Sequence, residues 1–266
     1  SEGTWEMYVL GDWGAGGSLQ RQVAEGMRSL ARTSGMPNII LSTGDNIYPS
    51  GVTSTADPQW RTKYEQVYTG LDVPWWAILG NHDYRGNVDA QVAYGSVNPR
   101  WNMPGRTWRQ EFSVDPVTKV VLTALDTTPL LQKKEGWKEQ LDGLERSLAA
   151  APGARHIVAG HHPLRSYGHY GDNDFLVRNV KPILDRFSVM LYCSGHDHDL
   201  QAIRNPADGF ACLVSGGGGG TRPTKRGPHT KAMHDGGGFA SVRLTSRTTT
   251  VRLHDRTGAT VGEMTL

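Results

Sequence analysis

Short apolar runs alternate with amphipathic stretches through the first third of the chain. Glu6-Met7-Tyr8-Val9-Leu10 predicts a first strand, stopped by Gly11-Asp12. Over residues 19–34, Leu19, Val23, Met27 and Leu30 recur at three- and four-residue steps, the spacing of one helix face. Gly35 and Pro37 end that helix. Asn38-Ile39-Ile40-Leu41 predicts a second buried strand, leading into Gly44-Asp45-Asn46. Asp57-Pro58 offers a cap and a first helical position for a helix running to about Tyr68. Trp75-Trp76-Ala77-Ile78-Leu79 is a third strand, ending at Gly80-Asn81-His82. This β-α-β-α-β order predicts an α/β fold with a largely parallel core sheet.

The pattern then loosens. Residues 108–114 and 119–125 predict an antiparallel hairpin turning at Pro116, and Trp137, Leu141, Leu144 and Leu148 mark another helix. Residues 156–160 form a strand that stops at His161-His162, and 173–187 form a helix that Pro182 must kink or start late. The apolar run 189–193 precedes Gly195-His196-Asp197-His198. Short strands at 210–215, 239–244, 249–254 and 259–265 follow, the first two separated by a glycine-rich loop. No repeat or linker divides residues 1–266, which read as a single domain.

Composition narrows the class only modestly. The chain has 266 residues, 37% hydrophobic and 20% charged, as expected of a folded, water-exposed protein. Its net charge of +2 argues for neither a nucleic-acid nor a membrane partner. No apolar run approaches the roughly 18 residues of a membrane span. The sequence opens on Ser-Glu-Gly-Thr, as a processed export precursor or a trimmed chain would. Cys193 and Cys212 both sit in apolar runs, where buried free thiols are expected and a bridge between neighbouring strands is the alternative.

The chemistry lies at the strand ends. Asp12, Asp45, Asn81-His82, His161 and the pair His196 and His198 each follow a predicted strand. In an open parallel sheet the carboxyl ends of the strands lie along one edge, where ligands bind. An Asp after a Gly is ordinary turn chemistry, but turns have no use for this series of histidines. His196 and His198 in an extended segment stand about 6.6 Å apart on one side, so they serve either one metal or two adjacent ones.

The ordered series Gly11-Asp12-Trp13-Gly14, Gly44-Asp45-Asn46-Ile47-Tyr48, Gly80-Asn81-His82-Asp83, Ala159-Gly160-His161-His162-Pro163 and Gly195-His196-Asp197-His198 resembles the calcineurin-like metallophosphoesterase signature. More narrowly it resembles the purple acid phosphatases of the small, mammalian tartrate-resistant type. The likeness runs through Val92-Ala93-Tyr94 and Arg100-Trp101-Asn102-Met103-Pro104 and spans essentially the whole chain. It implies a four-layer sandwich, two mixed β-sheets face to face and flanked by helices. It implies Fe(III) held by Asp12, Asp45, Tyr48 and His198, and Fe(II), Zn(II) or Mn(II) held by Asp45, Asn81, His161 and His196, with Asp45 bridging. Related phosphodiesterases and protein phosphatases carry a histidine ligand where Gly14 stands, and the resemblance implies that Tyr48 would supply the missing ligand as a phenolate.

The same resemblance implies an acid phosphatase that cleaves phosphate monoesters by attack of a metal-bound hydroxide. His82 and His169 would be catalytic, protonating the leaving group, with Asp83 orienting His82. Asn81, His82, His169, Gly217 and Gly218 would contact the substrate. Small phosphate esters and inorganic phosphate would be its ligands, and a secreted or periplasmic monomer its state. A phosphodiesterase or nucleotidase of the same superfamily, and a non-catalytic metal- or phosphate-binding protein, are the competing readings. The segment Thr221-Arg222-Pro223-Thr224-Lys225-Arg226 after the glycine loop reads as the rim of the site mouth, contacting substrate or merely solvated.

Overall fold

The protein is described here by a computed structural model covering residues 3–266. Its strands, in chain order, begin with β1 (Thr4–Leu10), β2 (Ile39–Ser42), β3 (Trp75–Ala77), β4 (Trp101–Asn102), β5 (Trp108–Ser113) and β6 (Lys119–Ala124). They continue with β7 (Arg155–Ala159), β8 (Leu191–Ser194), β9 (Leu200–Ile203) and β10 (Ala211–Ser215). The last are β11 (Thr230–His234), β12 (Gly238–Thr245), β13 (Thr249–Asp255) and β14 (Thr260–Thr265). The α-helices are α1 (Ser18–Ser34), α2 (Val88–Ala93), α3 (Thr127–Leu131), α4 (Trp137–Ala149), α5 (Asp174–Asn179) and α6 (Lys181–Arg186).

Two seven-stranded mixed sheets result, ordered β14-β13-β12-β1-β2-β3-β4 and β11-β9-β10-β8-β7-β6-β5. In the first, β1 to β4 run parallel while β12, β13 and β14 add antiparallel. In the second, β6, β7, β8 and β10 run parallel, β5 and β9 pair antiparallel on either side, and β11 pairs antiparallel with β9. The strand pattern alone pointed to one largely parallel sheet. The parallel character is real but is divided between two sheets, because the C-terminal strands extend the first one.

Alternation along β1 shows how the layers are made. Met7 and Val9 face the second sheet, where they meet Leu122, Ile157, Leu191 and Leu213. Tyr8 and Leu10 face outward onto Val23, Ala24 and Met27 of α1. On the far side Leu130, Leu144, Leu148, Leu176 and Leu184 from α3 to α6 cover Val158 and Tyr192. Helix, sheet, sheet and helix are thus stacked around one apolar interior, and central strands such as β8 and β10 are buried along their whole length. Among the described residues, no helix is long and apolar enough to cross a membrane.

Several elements differ from expectation. The helix expected to reach Tyr68 is a wide π-helical turn over Arg61–Glu65, with Gln66 N–H donating to Arg61 O at 3.0 Å. The wide turn lies within an aromatic cluster of Trp60, Tyr64 and Tyr68 with Trp13, Trp75 and Trp101. The 173–187 helix is broken at Val180, and Pro182 sits in the first turn of α6, where its missing N–H costs nothing. Strands β4, β9 and β11 and helices α2 and α3 were not foreseen. Cys193 faces the inter-sheet core while Cys212, on neighbouring β10, faces the helices. The two thiols point to opposite sides of their sheet and are free.

Leu213, fully buried between the sheets, tests this interior. Leu213→Ala should lower the unfolding free energy by about 2–5 kcal/mol, read from urea denaturation. A loss below about 1 kcal/mol would contradict the assigned packing.

Candidate metal centre and catalytic site

The loops after β1, β2 and β3 of the first sheet and after β7 and β8 of the second meet at one edge. Three of their residues bend the chain sharply: Asp12, Asp45 and His196 have φ of 56°, 52° and 68°. Left-handed backbone is costly for side chains with a Cβ and persists where surrounding contacts enforce it. Glycine is needed opposite. A Cβ on Gly80 would stand 2.2 Å from Asp45 Oδ1, and one on Gly195 would stand 2.5 Å from Asp12 Oδ2.

The Tyr48 hydroxyl lies 2.9 Å from Asp12 Oδ1, 3.0 Å from Asp45 Oδ2 and 3.3 Å from His198 Nε2. His198 Nε2 is itself 3.4 Å from Asp12 Oδ1. On the other side, His161 Nε2 is 3.2 Å from Asp45 Oδ2. Asp45, His161 and His196 each offer a ligand atom within 4.8 Å of the others. Backbone contacts fix the carboxylates: His196 N–H donates to Asp12 Oδ2 and His82 N–H to Asp45 Oδ1, both at 2.9 Å. His161 Nδ1 is 2.8 Å from Thr43 O. Donation there leaves Nε2 as a lone-pair donor.

These residues fit a cation. One phenolic proton cannot serve Asp12, Asp45 and His198 together. Asn81 Oδ1 is buried without a hydrogen-bond partner, a rare condition for buried polar atoms, and the buried His161 Nε2 has only the Asp45 carboxylate facing it. The titration behaviour agrees. Burial, and then the Asp12 and Asp45 charges, push the Tyr48 phenol far above its usual value, an effect that a positive ion would reverse. Burial would raise Asp45, but His161 outweighs it and holds the carboxyl below its usual range. For His161 burial acts downward, yet Asp45 and Asp12 push it up to about 10. A proton on that ring answers the same negative charge that a metal would.

His82 lies beside this cluster, its ring centroid 4.6 Å from that of Tyr48. Its Nδ1 is 2.7 Å from Pro49 O, so the backbone carbonyl orients the ring. Asp83 does not orient it, contrary to expectation. Asp83 is fully buried and accepts from Gly80 N–H at 2.8 Å, Asn46 N–H at 3.1 Å and Gln91 Nε2 at 2.9 Å. Burial, then the Asp45 charge, raise its pKa to about 7. It clamps the second and third loops together, because the short helical turn after His82 aims it inward.

His169 is exposed, and its ring packs against Tyr170, centroid to centroid 4.8 Å. Tyr170 is the residue that reaches the cluster, stacked on His196 at 3.9 Å. Nothing in the sequence singled out Tyr170. Gly217 and Gly218 are buried rather than at the mouth: Gly218 N–H is spent on Gly11 O and Gly217 O accepts from Gly238 N–H. Gly219 and Gly220 instead line a cavity of about 360 Å³ with Asp12, Tyr48, Pro49, Lys63 and His198. Lys63 was also missed; its Nζ is 2.6 Å from Tyr48 O.

The sequence profile of the calcineurin-like phosphoesterases matches residues 7–200, which contain every one of these loops up to His198. Human tartrate-resistant acid phosphatase type 5 is 32% identical, over 94% of this chain and 87% of its own. Purple acid phosphatase 17 of Arabidopsis thaliana is 33% identical, over 96% of this chain and 82% of its own. The chain belongs to the purple acid phosphatases. It is therefore a metal-dependent phosphoesterase of the calcineurin-like family. Among solved structures, GAP50, described as the anchor in the inner membrane complex of Plasmodium, superposes with a TM-score of 0.91. It is 23% identical, covers 100% of this chain and 89% of its own, and shares the fold.

The clamp assigned to Asp83 is directly testable. Asp83→Ala strands buried N–H groups and should lower the stability of the purple acid phosphatase by about 2 kcal/mol or more in urea unfolding. Near-normal stability with a selectively reduced turnover would restore the orienting role instead.

Proposed function

We propose that this purple acid phosphatase hydrolyses phosphate monoesters at a binuclear centre organised on Asp45. The observation that carries the reading is the convergence of two donor sets that share this carboxylate. Asp12, Asp45, Tyr48 and His198 would hold Fe(III), whose hardness suits carboxylate and phenolate oxygen. Asp45, Asn81, His161 and His196 would hold Fe(II), Zn(II) or Mn(II), an amide, a carboxylate and two imidazoles being common donors for these ions. Bound together, two such ions supply an activated water and neutralise the charge of a phosphoryl group in flight.

The protein's own groups do the rest. Asp45 is held for bridging by the His82 N–H, and Asn81 Oδ1 is kept free by having no protein partner. With Nδ1 fixed against Pro49 O, His82 has Nε2 left for proton exchange, and it protonates the leaving alkoxide. His169, exposed one residue from Tyr170, contacts the outer part of the substrate. All of the proposed ligands come from one chain, so a monomer suffices for activity. Residues 1–266 act as one catalytic unit on small phosphate esters in a secreted or periplasmic setting, as the family resemblance implies.

Three measurements test this reading. Tyr48→Phe should abolish the visible phenolate-to-iron absorption of the iron-loaded protein; an unchanged purple colour would remove Tyr48 from the ligands. Asp45→Asn should lose both metals on dialysis, so full occupancy by metal analysis would sink the bridge. His82→Ala should slow p-nitrophenyl phosphate turnover by about 10²–10⁴-fold while retaining its metals. Faster wild-type cleavage of bis(p-nitrophenyl) phosphate than of the monoester would favour a diesterase.

A further inference from the structure

Arg222 carries a hydrogen-bonding atom that the fold leaves unused. It stands two residues beyond Gly220, which lines the cavity at Tyr48 and His198. Its backbone N–H donates to His198 O at 3.0 Å, tying it to one of the proposed ligands. Its guanidinium carbon lies 5.4 Å from the centroid of Tyr170, and the Tyr170 ring in turn stacks on His196. The side chain as a whole is half-buried and its guanidinium engages the Tyr170 side chain, yet the Nη1 atom is shielded from solvent and has no partner of its own. A charged N–H deprived of both water and an acceptor is unfavourable unless a ligand completes it.

Neither residue lies on a loose rim. Beyond Arg222, Thr224 Oγ1 donates to Asp199 Oδ2 and Thr224 N–H to Asp235 Oδ2 at 3.0 Å. Tyr170 N–H donates to Asp197 Oδ1 at 3.1 Å, and Tyr167 N–H to Gln201 Oε1 at 2.8 Å. Both loops are therefore pinned to the segment that carries His196 and His198. The other cation at the mouth is already engaged, since Lys63 Nζ lies 2.6 Å from Tyr48 O and 2.9 Å from Gln59 Oε1. Lys225 and Arg226 on the same loop are exposed.

We infer that Arg222 binds a non-bridging oxygen of the substrate phosphoryl group and of the product phosphate, with Tyr170 as its positioning residue. The inference rests on the phosphoesterase reading above and adds a protein cation to it. A guanidinium suits this place because its planar fork and permanent charge match phosphate oxygens. Tyr170 holds the fork over the site through its ring, and its own stacking on His196 sets the distance.

The probe is inorganic phosphate, titrated calorimetrically into the metal-loaded protein, alongside monoester kinetics. Arg222→Gln should weaken phosphate binding by about tenfold or more, as loss of a charge-assisted hydrogen bond does. KM should rise in proportion and kcat should fall less, the pattern of binding lost from ground and transition states alike. Arg222→Lys should recover part of the affinity, and Lys225→Gln should keep wild-type values. Tyr170→Ala should weaken phosphate binding in the wild-type background and add little to Arg222→Gln, showing that it acts through Arg222. Phosphate affinity and KM within about twofold of wild type in Arg222→Gln, with only a lower unfolding midpoint, would overturn the assignment and leave a packing role. If the metal-loaded wild type neither binds phosphate nor turns over monoesters, the phosphoesterase reading itself falls, and this inference with it.

Discussion

Two buried carboxylates, Asp12 and Asp45, stand within hydrogen-bonding distance of one phenolic hydroxyl, and the architecture of the site follows from that excess of negative charge. Buried carboxylates are tolerated only when paired or bound to metal. His161 meets part of the demand, which is why these carboxylates drive its pKa to about 10 despite burial. The remainder calls for ions. The left-handed backbone at Asp12 and Asp45 is a local cost of holding such charges face to face, and the apolar interior between the sheets supplies the offset.

That interior does more than stabilise. The proposed ligands come from both sheets, so the distance between the sheets sets the distances among them. Contacts across the gap keep them in register: Thr43 Oγ1 donates to Ser215 O at 2.9 Å, Ser215 Oγ to Val9 O at 2.7 Å, and Gly218 N–H to Gly11 O at 3.1 Å. His161 Nδ1 against Thr43 O and His196 N–H on Asp12 belong to the same stitching. Within the first sheet, Asp83 joins the second and third loops in the way these bonds join the sheets. A site assembled from five separate loops is held by a continuous set of short polar contacts.

The sequence exposed the positions of Asp12, Asp45, His161 and His196 because each lies at a fixed, small offset after an apolar strand. Strand pattern alone therefore carried them to one edge. It failed where the determining neighbour is distant. Asp83 adjoins His82 in the chain, but Pro49 orients the ring from 33 positions away. Tyr170 matters because its loop folds over His196, and His169 beside it does not. Gly217 and Gly218 looked like the open part of a glycine loop, yet the chain only reaches the mouth at Gly219 and Gly220. Strand β4 is only two residues long, and β11 (Thr-Lys-Ala-Met-His) lacks the apolar run that marked the other strands. The wide turn at Arg61–Glu65 answers to aromatic packing that no local pattern encodes.

Fold likeness by itself says little about chemistry, since the structure with a TM-score of 0.91 is described as an anchor. The chemistry of this chain is carried instead by a set of polar atoms that folding leaves incomplete. Asn81 Oδ1 and Arg222 Nη1 are buried without a partner, and His161 Nε2 faces only the Asp45 carboxylate at 3.2 Å. Here they coincide with strained turns, shared carboxylates and a histidine whose remaining nitrogen is free. On the proposed reading, the lone pairs of the cluster serve cations and the Arg222 guanidinium serves an anion. A phosphate ester bound beside metal ions is the ligand whose chemistry satisfies both at once.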